Sequence, residues 1–417
     1  MNELNEKRRS KWDLLIPKML FGCLLLYLTW FSESYGNRPI ILYALSLLLF
    51  ASVALDMASR GRVYLNAFPK YLIGCILLAV YSFLIGLLIA KDRVWLISSL
   101  IRFVAYIGIC YCMYYISLID GSTKWFLKLF TLCGLVCAAQ VVLFGFSTTS
   151  SGADIVVLSD ESNPNTLGLV MLIAVFAVLF DTEQMKKRLL VKLLLVALFS
   201  YIIILTASRK CVLCLGLLLV AWVVVFLGSF KKERIKAVSL KTIVIIFAVL
   251  CGIGIAVYYL LHNFSDSGAF FKLNATLTSG SGTESRLFFY QEAWELFKGS
   301  PLVGVGYEQF RRYSSLGLYS HSTYAEIISC GGIIGTLLYM MPQIALLFGM
   351  IRQIILDKGR DRDFLFLFAL LIIELVMSLA QITFYSSNHM LVLTFIFYWY
   401  QDRMQKKALA GGKNVKN

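Results

Sequence analysis

Long apolar runs alternate with short polar segments through almost the whole of this 417-residue chain. A crossing of the hydrocarbon core needs about 20 apolar residues. On that scale the pattern predicts twelve spans: Leu14–Ser32, Ile40–Ala58, Tyr71–Ala90, Leu96–Leu118, Trp125–Phe146, Asn165–Asp181, Leu189–Thr206, Cys211–Ser229, Thr242–Leu261, Thr323–Met350, Phe364–Phe384 and His389–Tyr400. The last is short for a full crossing. The first follows a basic segment, Lys7–Lys11, without a small-x-small cleavage site, and reads as an uncleaved span. The pattern breaks once at length, in a polar island from Ser265 to Tyr324.

Within the island, Ser281 and Glu284 have the form of a capping box, and an amphipathic helix is expected after it. Leu287, Tyr290, Trp294 and Phe297 share one face; Gln291, Glu295 and Lys298 share the other. Such a helix would lie along the outer membrane surface, aromatic face down, and end at Gly299 and Pro301. The island joins a span whose Gly331, Gly332 and Gly335 permit close packing.

Charge orients the spans. Most of the 39 lysines and arginines fall in alternate loops, as the positive-inside rule requires of cytoplasmic segments. Both termini are then cytoplasmic, and the island and the acidic Ser147–Pro164 loop are external. The formal net charge of +15 therefore reads as topology and contact with anionic lipid, not nucleic-acid binding. With 59% hydrophobic and 15% charged residues, the chain is no ordinary soluble domain. The expected fold is all-α: one polytopic membrane domain over residues 1–417, with residues 262–322 as an extracytoplasmic loop. All ten cysteines lie in or beside apolar runs. The Cys211/Cys214 pair lacks the partners of a tetrahedral metal site and reads as buried packing.

A few polar residues stand out against this background. Arg209 lies in a very short external turn, Thr206-Ala-Ser-Arg-Lys210. It is either an interfacial anchor snorkelling to headgroups or a planar donor fork for a diphosphate. Arg286 is either a solvated loop charge or a second clamp on the same group. Arg102 lies about two turns inside a span, where a charge is a functional candidate by default. His321 sits where the island re-enters the membrane and can accept a hydroxyl proton at neutral pH, although a lone histidine is more often structural. Glu326, one turn on, either orients that imidazole or caps the span. His262 and His389 read as interfacial, and Glu374 is a buried acid with no evident partner.

Three dispersed motifs resemble the O-antigen ligase/polymerase family of bacterial membrane glycosyltransferases. One is Arg286, Trp294, Pro301-Leu-Val-Gly-Val-Gly306, Phe310, His321-Ser-Thr-Tyr324, Glu326 and Gly332-Ile-Ile-Gly335; the others are Thr206-Ala-Ser-Arg209 and Asn163-Pro-Asn165. Many members carry Asn after the histidine, where this chain has Ser322. The resemblance implies a GT-C-like fold, an undecaprenyl-diphosphate-linked glycan donor and a transfer needing no metal or other cofactor. Carried over, Arg209 and Arg286 would bind the diphosphate and His321 would assist the acceptor hydroxyl. Trp294, Tyr324, Glu326, Asn163 and Asn165, with Arg102, would bind substrate.

The expected activity is polymerisation of lipid-linked repeat units of a surface polysaccharide at the outer face of the cytoplasmic membrane. A flippase and a chain-length regulator are possible partners. A ligase acting on a lipid-core or protein acceptor would use the same donor chemistry. A transporter or flippase is the alternative of another class, but no half-to-half repeat supports it.

Overall fold

The apolar runs form helices because only a helix satisfies every backbone donor and acceptor within the segment in lipid. A computed structural model of the chain describes residues 14–31, 38–60, 69–144, 163–180, 185–227, 283–357 and 361–413, with positions 147–148, 154–155, 157–158 and 359 between them. The described helices are α1 (Leu15–Leu26, continued by a π-turn, Tyr27–Phe31), α2 (Pro39–Arg60), α3 (Lys70–Ile89), α4 (Arg93–Asp120), α5 (Lys124–Phe144), α6 (Pro164–Phe180), α7 (Met185–Leu205), α8 (Arg209–Leu227), α9 (Thr283–Gly299), α10 (Phe310–Tyr313), α11 (Thr323–Leu356), α12 (Arg362–Ala380) and α13 (Ser387–Lys413). Among them, α2, α3, α4, α5, α11 and α12 are the six long and apolar enough to cross a membrane by length and composition. The protein is an all-helical integral membrane protein. Eleven expected spans coincide with helices, while Thr242–Leu261, Cys251, His262 and the Ser281 cap lie outside the described residues.

Two departures concern length and local pairing. The short His389–Tyr400 span belongs to the 27-residue α13, whose polar extension hides its length from hydropathy. The Ser147–Pro164 loop contains a two-residue antiparallel ladder, Ser147–Thr148 against Asp154–Ile155.

Helix α6 is the central pillar: every residue from Leu167 to Phe180 is buried, with α5, α7 and α8 packed around it. Its Phe176 stacks on Phe366 of α12, centroids 5.2 Å apart, and meets Phe395 of α13 edge-on at 6.0 Å. At one end of the bundle, ion pairs tie helices together, Lys18 with Asp120, Arg403 with Asp361 and Lys407 with Asp357, while Arg60 pairs with Asp56 within α2. The opposite end carries the cavities.

The 34-residue α11 is broken at Gly332, whose φ of 59° and ψ of −160° are not helical. The break leaves backbone groups unpaired, and the Pro301–Gly306 turn fills the gap. Val305 and Gly306 donate their amides to the carbonyls of Ser329 and Cys330 (3.0 and 2.9 Å), while Ile333 and Ile334 donate to Pro301 and Leu302 (2.9 and 3.2 Å). This is why the turn needs glycines: a Cβ on Gly304 would lie 2.4 Å from the Cys330 carbonyl carbon, and one on Gly332 2.4 Å from the Leu302 oxygen.

Helix α9 packs on α11, burying Phe289 and Ala293 against Val305, Phe310 and Cys330. The face packed on α11 is therefore a different one from the expected aromatic, membrane-facing one. Leu287 and Trp294 are more than half exposed, and Tyr290 donates its hydroxyl to the Leu379 carbonyl at 3.0 Å.

Candidate functional site

The N-termini of α6, α8, α11 and α13 meet at the same end of the bundle. Around them lies a cavity of about 220 Å³ lined by Asn163, Asn165, Lys210, Arg286, Arg311, Tyr319, His321, Ala380, Gln381, Ile382 and Tyr385. Helix N-termini carry partial positive charge and unpaired amides, so they favour anions. The side chains add to this: Lys210, Arg286 and Arg311 line the cavity, and no carboxylate among the described residues does.

Local folding explains the placement. Asn163 accepts from the Asn165 amide (2.9 Å), and the Asn165 side-chain carbonyl accepts from the Ser208 hydroxyl (2.8 Å). Ser208 accepts the first turn of α8 through its carbonyl. The Asn-Pro-Asn element and the Ser-Arg turn are thus one unit, with Lys210 donating to the Ala380 carbonyl at the end of α12 (3.3 Å). His321 is held by rings, its centroid 4.3 Å from Tyr319 and 5.5 Å from Phe289.

Electrostatics confirm crowding of like charge. Burial, reinforced by Arg286 and Lys210, holds the His321 imidazole below its ordinary pKa. Lys210, just ahead of the apolar run that starts at Cys211, is lowered to about 8; burial is the main cause and Arg286 adds to it. Arg209 is lowered first by burial and then by Arg286. Cations that depress one another in this way are best relieved by a bound anion.

Strain and unmet hydrogen bonding occur here too. Among the described residues, the non-glycine residues with positive φ are Ala207 (53°), Glu308 (55°) and His321 (61°), all in the loops that build this end of the bundle. Such conformations cost on the order of 1–3 kcal/mol each and persist where the surroundings enforce them. Three buried polar atoms on the cavity residues lack hydrogen-bond partners among the described residues: Arg311 Nε, Gln381 Oε1 and the Tyr385 hydroxyl. Buried polar atoms are normally paired, so these three are available to a ligand in the cavity.

Of the residues singled out in the sequence, the cavity wall contains Arg286, His321, Asn163 and Asn165. Arg209 begins α8 beside it, close enough to feel Arg286. Four others point elsewhere. Arg102 lines a neighbouring cavity and pairs with Glu308 at 3.4 Å. Trp294 is half exposed against Phe297. Tyr324 donates its hydroxyl to the Leu375 carbonyl at 3.0 Å. Glu326 is buried and accepts the Ser320 amide at 2.8 Å, which fixes the loop before His321 and leaves the imidazole to the aromatic rings. His389 is not interfacial: fully buried, it meets Glu374 at 2.5 Å and is the partner that acid lacked.

Sequence reading did not select Lys210, Arg311, Tyr319, Gln381 or Tyr385. Lys210 and Arg311 carried a signal, being adjacent cation pairs with Arg209 and Arg312 in external segments. Gln381 and Tyr385 carried none; only the packing of α12 against α11 brings them in. Among the described residues, no group of three or more His, Cys, Asp or Glu side chains is placed to hold a metal.

Comparison with known proteins supplies the context. Residues 193–340 match the family model described as O-Antigen ligase, a stretch that contains Arg209, Arg286, Arg311 and His321. The exopolysaccharide production protein ExoQ of Rhizobium meliloti (strain 1021) is 28% identical over 189 residues, covering 42% of this chain and 41% of that protein. The chain thus spans about two-fifths of the length of this curated relative.

Proposed function

From a segment of the O-antigen ligase family at residues 193–340, we propose that the protein is a membrane glycosyltransferase of polysaccharide biosynthesis that polymerises lipid-diphosphate-linked glycan units. The observation that carries this reading is the cavity in which Lys210, Arg286 and Arg311 face His321 with no carboxylate beside them among the described residues. Its charge and size suit a diphosphate, and its seat at one end of a membrane bundle suits a lipid-borne one.

In this reading Arg286, Arg311 and Lys210 hold the diphosphate, with Arg209 and the α8 N-terminus behind them. Guanidinium groups grip phosphate oxygens in bidentate fashion. His321, neutral at pH 7 because its pKa is lowered, accepts the proton of an acceptor sugar hydroxyl. The hydroxyl oxygen bonds to the anomeric carbon, and the bond from that carbon to the phosphate oxygen breaks. The electron pair leaves on the lipid diphosphate, whose growing charge the cations stabilise. Direct displacement inverts the anomeric centre. Most of the rate enhancement comes from holding two lipid-linked substrates in line, and the reaction needs no cofactor.

The proposal includes twelve crossings in a GT-C-like arrangement, cytoplasmic termini and a site on the outer face of the cytoplasmic membrane. The alternation of basic loops and the clustering of cavities at one bundle end support it. The family description favours a second reading, ligation to a different acceptor. Purified protein in liposomes containing only lipid-diphosphate repeat units separates the two: a ladder of products supports polymerisation, and no product until a second acceptor is added contradicts it.

A further inference from the structure

Beside the cationic cavity lies a smaller one, about 110 Å³, lined by Trp95, Ser99, Arg102, Phe103, Tyr106, Glu308, Arg311 and Tyr385. Arg311 and Tyr385 line both. The two spaces therefore share a wall made of the residues whose Nε and hydroxyl lack partners among the described residues.

The chemistry of the smaller cavity differs from that of its neighbour. It has a buried carboxylate, Glu308, whose side chain is 6% exposed. Among the described residues, both hydrogen bonds to Glu308, from the Ser99 hydroxyl (2.7 Å) and Arg102 Nη2 (3.4 Å), fall on Oε2. Oε1 is left to accept from the cavity. Glu308 is also one of the strained positive-φ residues, held in place by the turn docked on α11. Guanidinium groups of Arg102 and Arg311 lie over the Trp95 ring at 5.8 and 4.8 Å, which holds both donors against that ring. A carboxylate oxygen, fixed guanidinium donors and aromatic walls suit a vicinal pair of hydroxyls on an apolar ring. The volume is that of about four waters, enough for the hydroxyl-bearing edge of one sugar ring.

We infer that this cavity holds the sugar joined to the diphosphate, with Glu308 Oε1 accepting from its ring hydroxyls and Arg311 spanning sugar and phosphate. The inference rests on the diphosphate reading above. The acceptor sugar is not the occupant, because it must approach His321, which lines only the larger cavity. Glu308, Arg102 and Ser99 are binding residues here and take no part in proton transfer.

Binding in nanodiscs tests it with two probes, bare undecaprenyl diphosphate and the lipid-diphosphate-linked repeat unit extracted from cells producing it. The wild type should hold the sugar-bearing lipid more tightly than the bare one. Glu308→Gln, which keeps shape and loses charge, should remove about tenfold of the affinity for the sugar-bearing lipid and leave the bare lipid unchanged. Ser99→Ala should show a smaller loss of the same kind. Unchanged affinity for the sugar-bearing lipid in Glu308→Gln would overturn the subsite alone. Equal loss of both affinities in both variants would assign the cluster a structural role and overturn it as well. A wild type that fails to bind the bare lipid would instead defeat the diphosphate reading itself.

Discussion

The amide of Val305 donates to the carbonyl of Ser329 at 3.0 Å, so the turn that follows α9 is hydrogen-bonded into the break of α11. That one docking places Glu308 and Arg311 below the turn and His321 at the mouth of α11. It also makes two glycines structurally obligatory.

Gly304→Ala and Gly332→Ala should each destabilise the protein by about 2–4 kcal/mol, since a Cβ at either would overlap backbone atoms 2.4 Å away. Gly216→Ala in α8, where a Cβ meets nothing within 4 Å, should be neutral or slightly stabilising. Thermal unfolding in detergent checks the contrast; equal behaviour of the three would refute the docking.

His321→Asn should lower kcat by about 10²–10⁴-fold with little change in donor affinity. Asparagine tolerates the left-handed conformation that His321 adopts at φ 61°. The loss would therefore report the imidazole and not the backbone.

Two limbs should frame the pH dependence of kcat/KM. His321 titrates below its ordinary value near 6.5. Activity should therefore hold at neutrality and fall as pH drops below that value and the folded imidazole takes up its proton. The unfolded chain binds that proton first, so stability also declines as pH falls through this window. Lys210 titrates at about 8, and donor capture should weaken above that pH. Stability moves the other way there, because the folded state releases a buried charge that the unfolded state keeps. Lys210→Met should abolish the alkaline limb; its persistence near pH 8 would remove Lys210 from the assignment.

Separating Glu374 from His389 should cost about 3 kcal/mol or more, because either variant strands a buried polar partner. Glu374→Ala and His389→Ala, alone and combined, measured by thermal unfolding, give the coupling. Additive losses would show that the 2.5 Å contact contributes nothing.

Much of this was legible in the sequence. Apolar runs of bilayer length gave the helices, because span formation is set by local composition. The motif order singled out Arg286, His321 and Asn165, and these three line one cavity. What escaped depended on packing. A charge inside a span is costly, which picked out Arg102, but its partner Glu308 lies over 200 residues away in sequence and could not be read from it. Glu374 and His389 lie on different helices, and nothing in hydropathy joins them. The inward face of α9 could not be read, because Phe289 and Ala293 bury themselves against a turn whose position follows from the break at Gly332.

The most direct measurement is the affinity of bare undecaprenyl diphosphate for the protein in nanodiscs, wild type against Arg286→Met and Arg311→Met. The cationic cavity predicts binding by the wild type and a loss of about 10-fold or more in each variant, the worth of one charge-assisted contact. Equal affinity in all three proteins would contradict the assignment of that cavity to the lipid diphosphate.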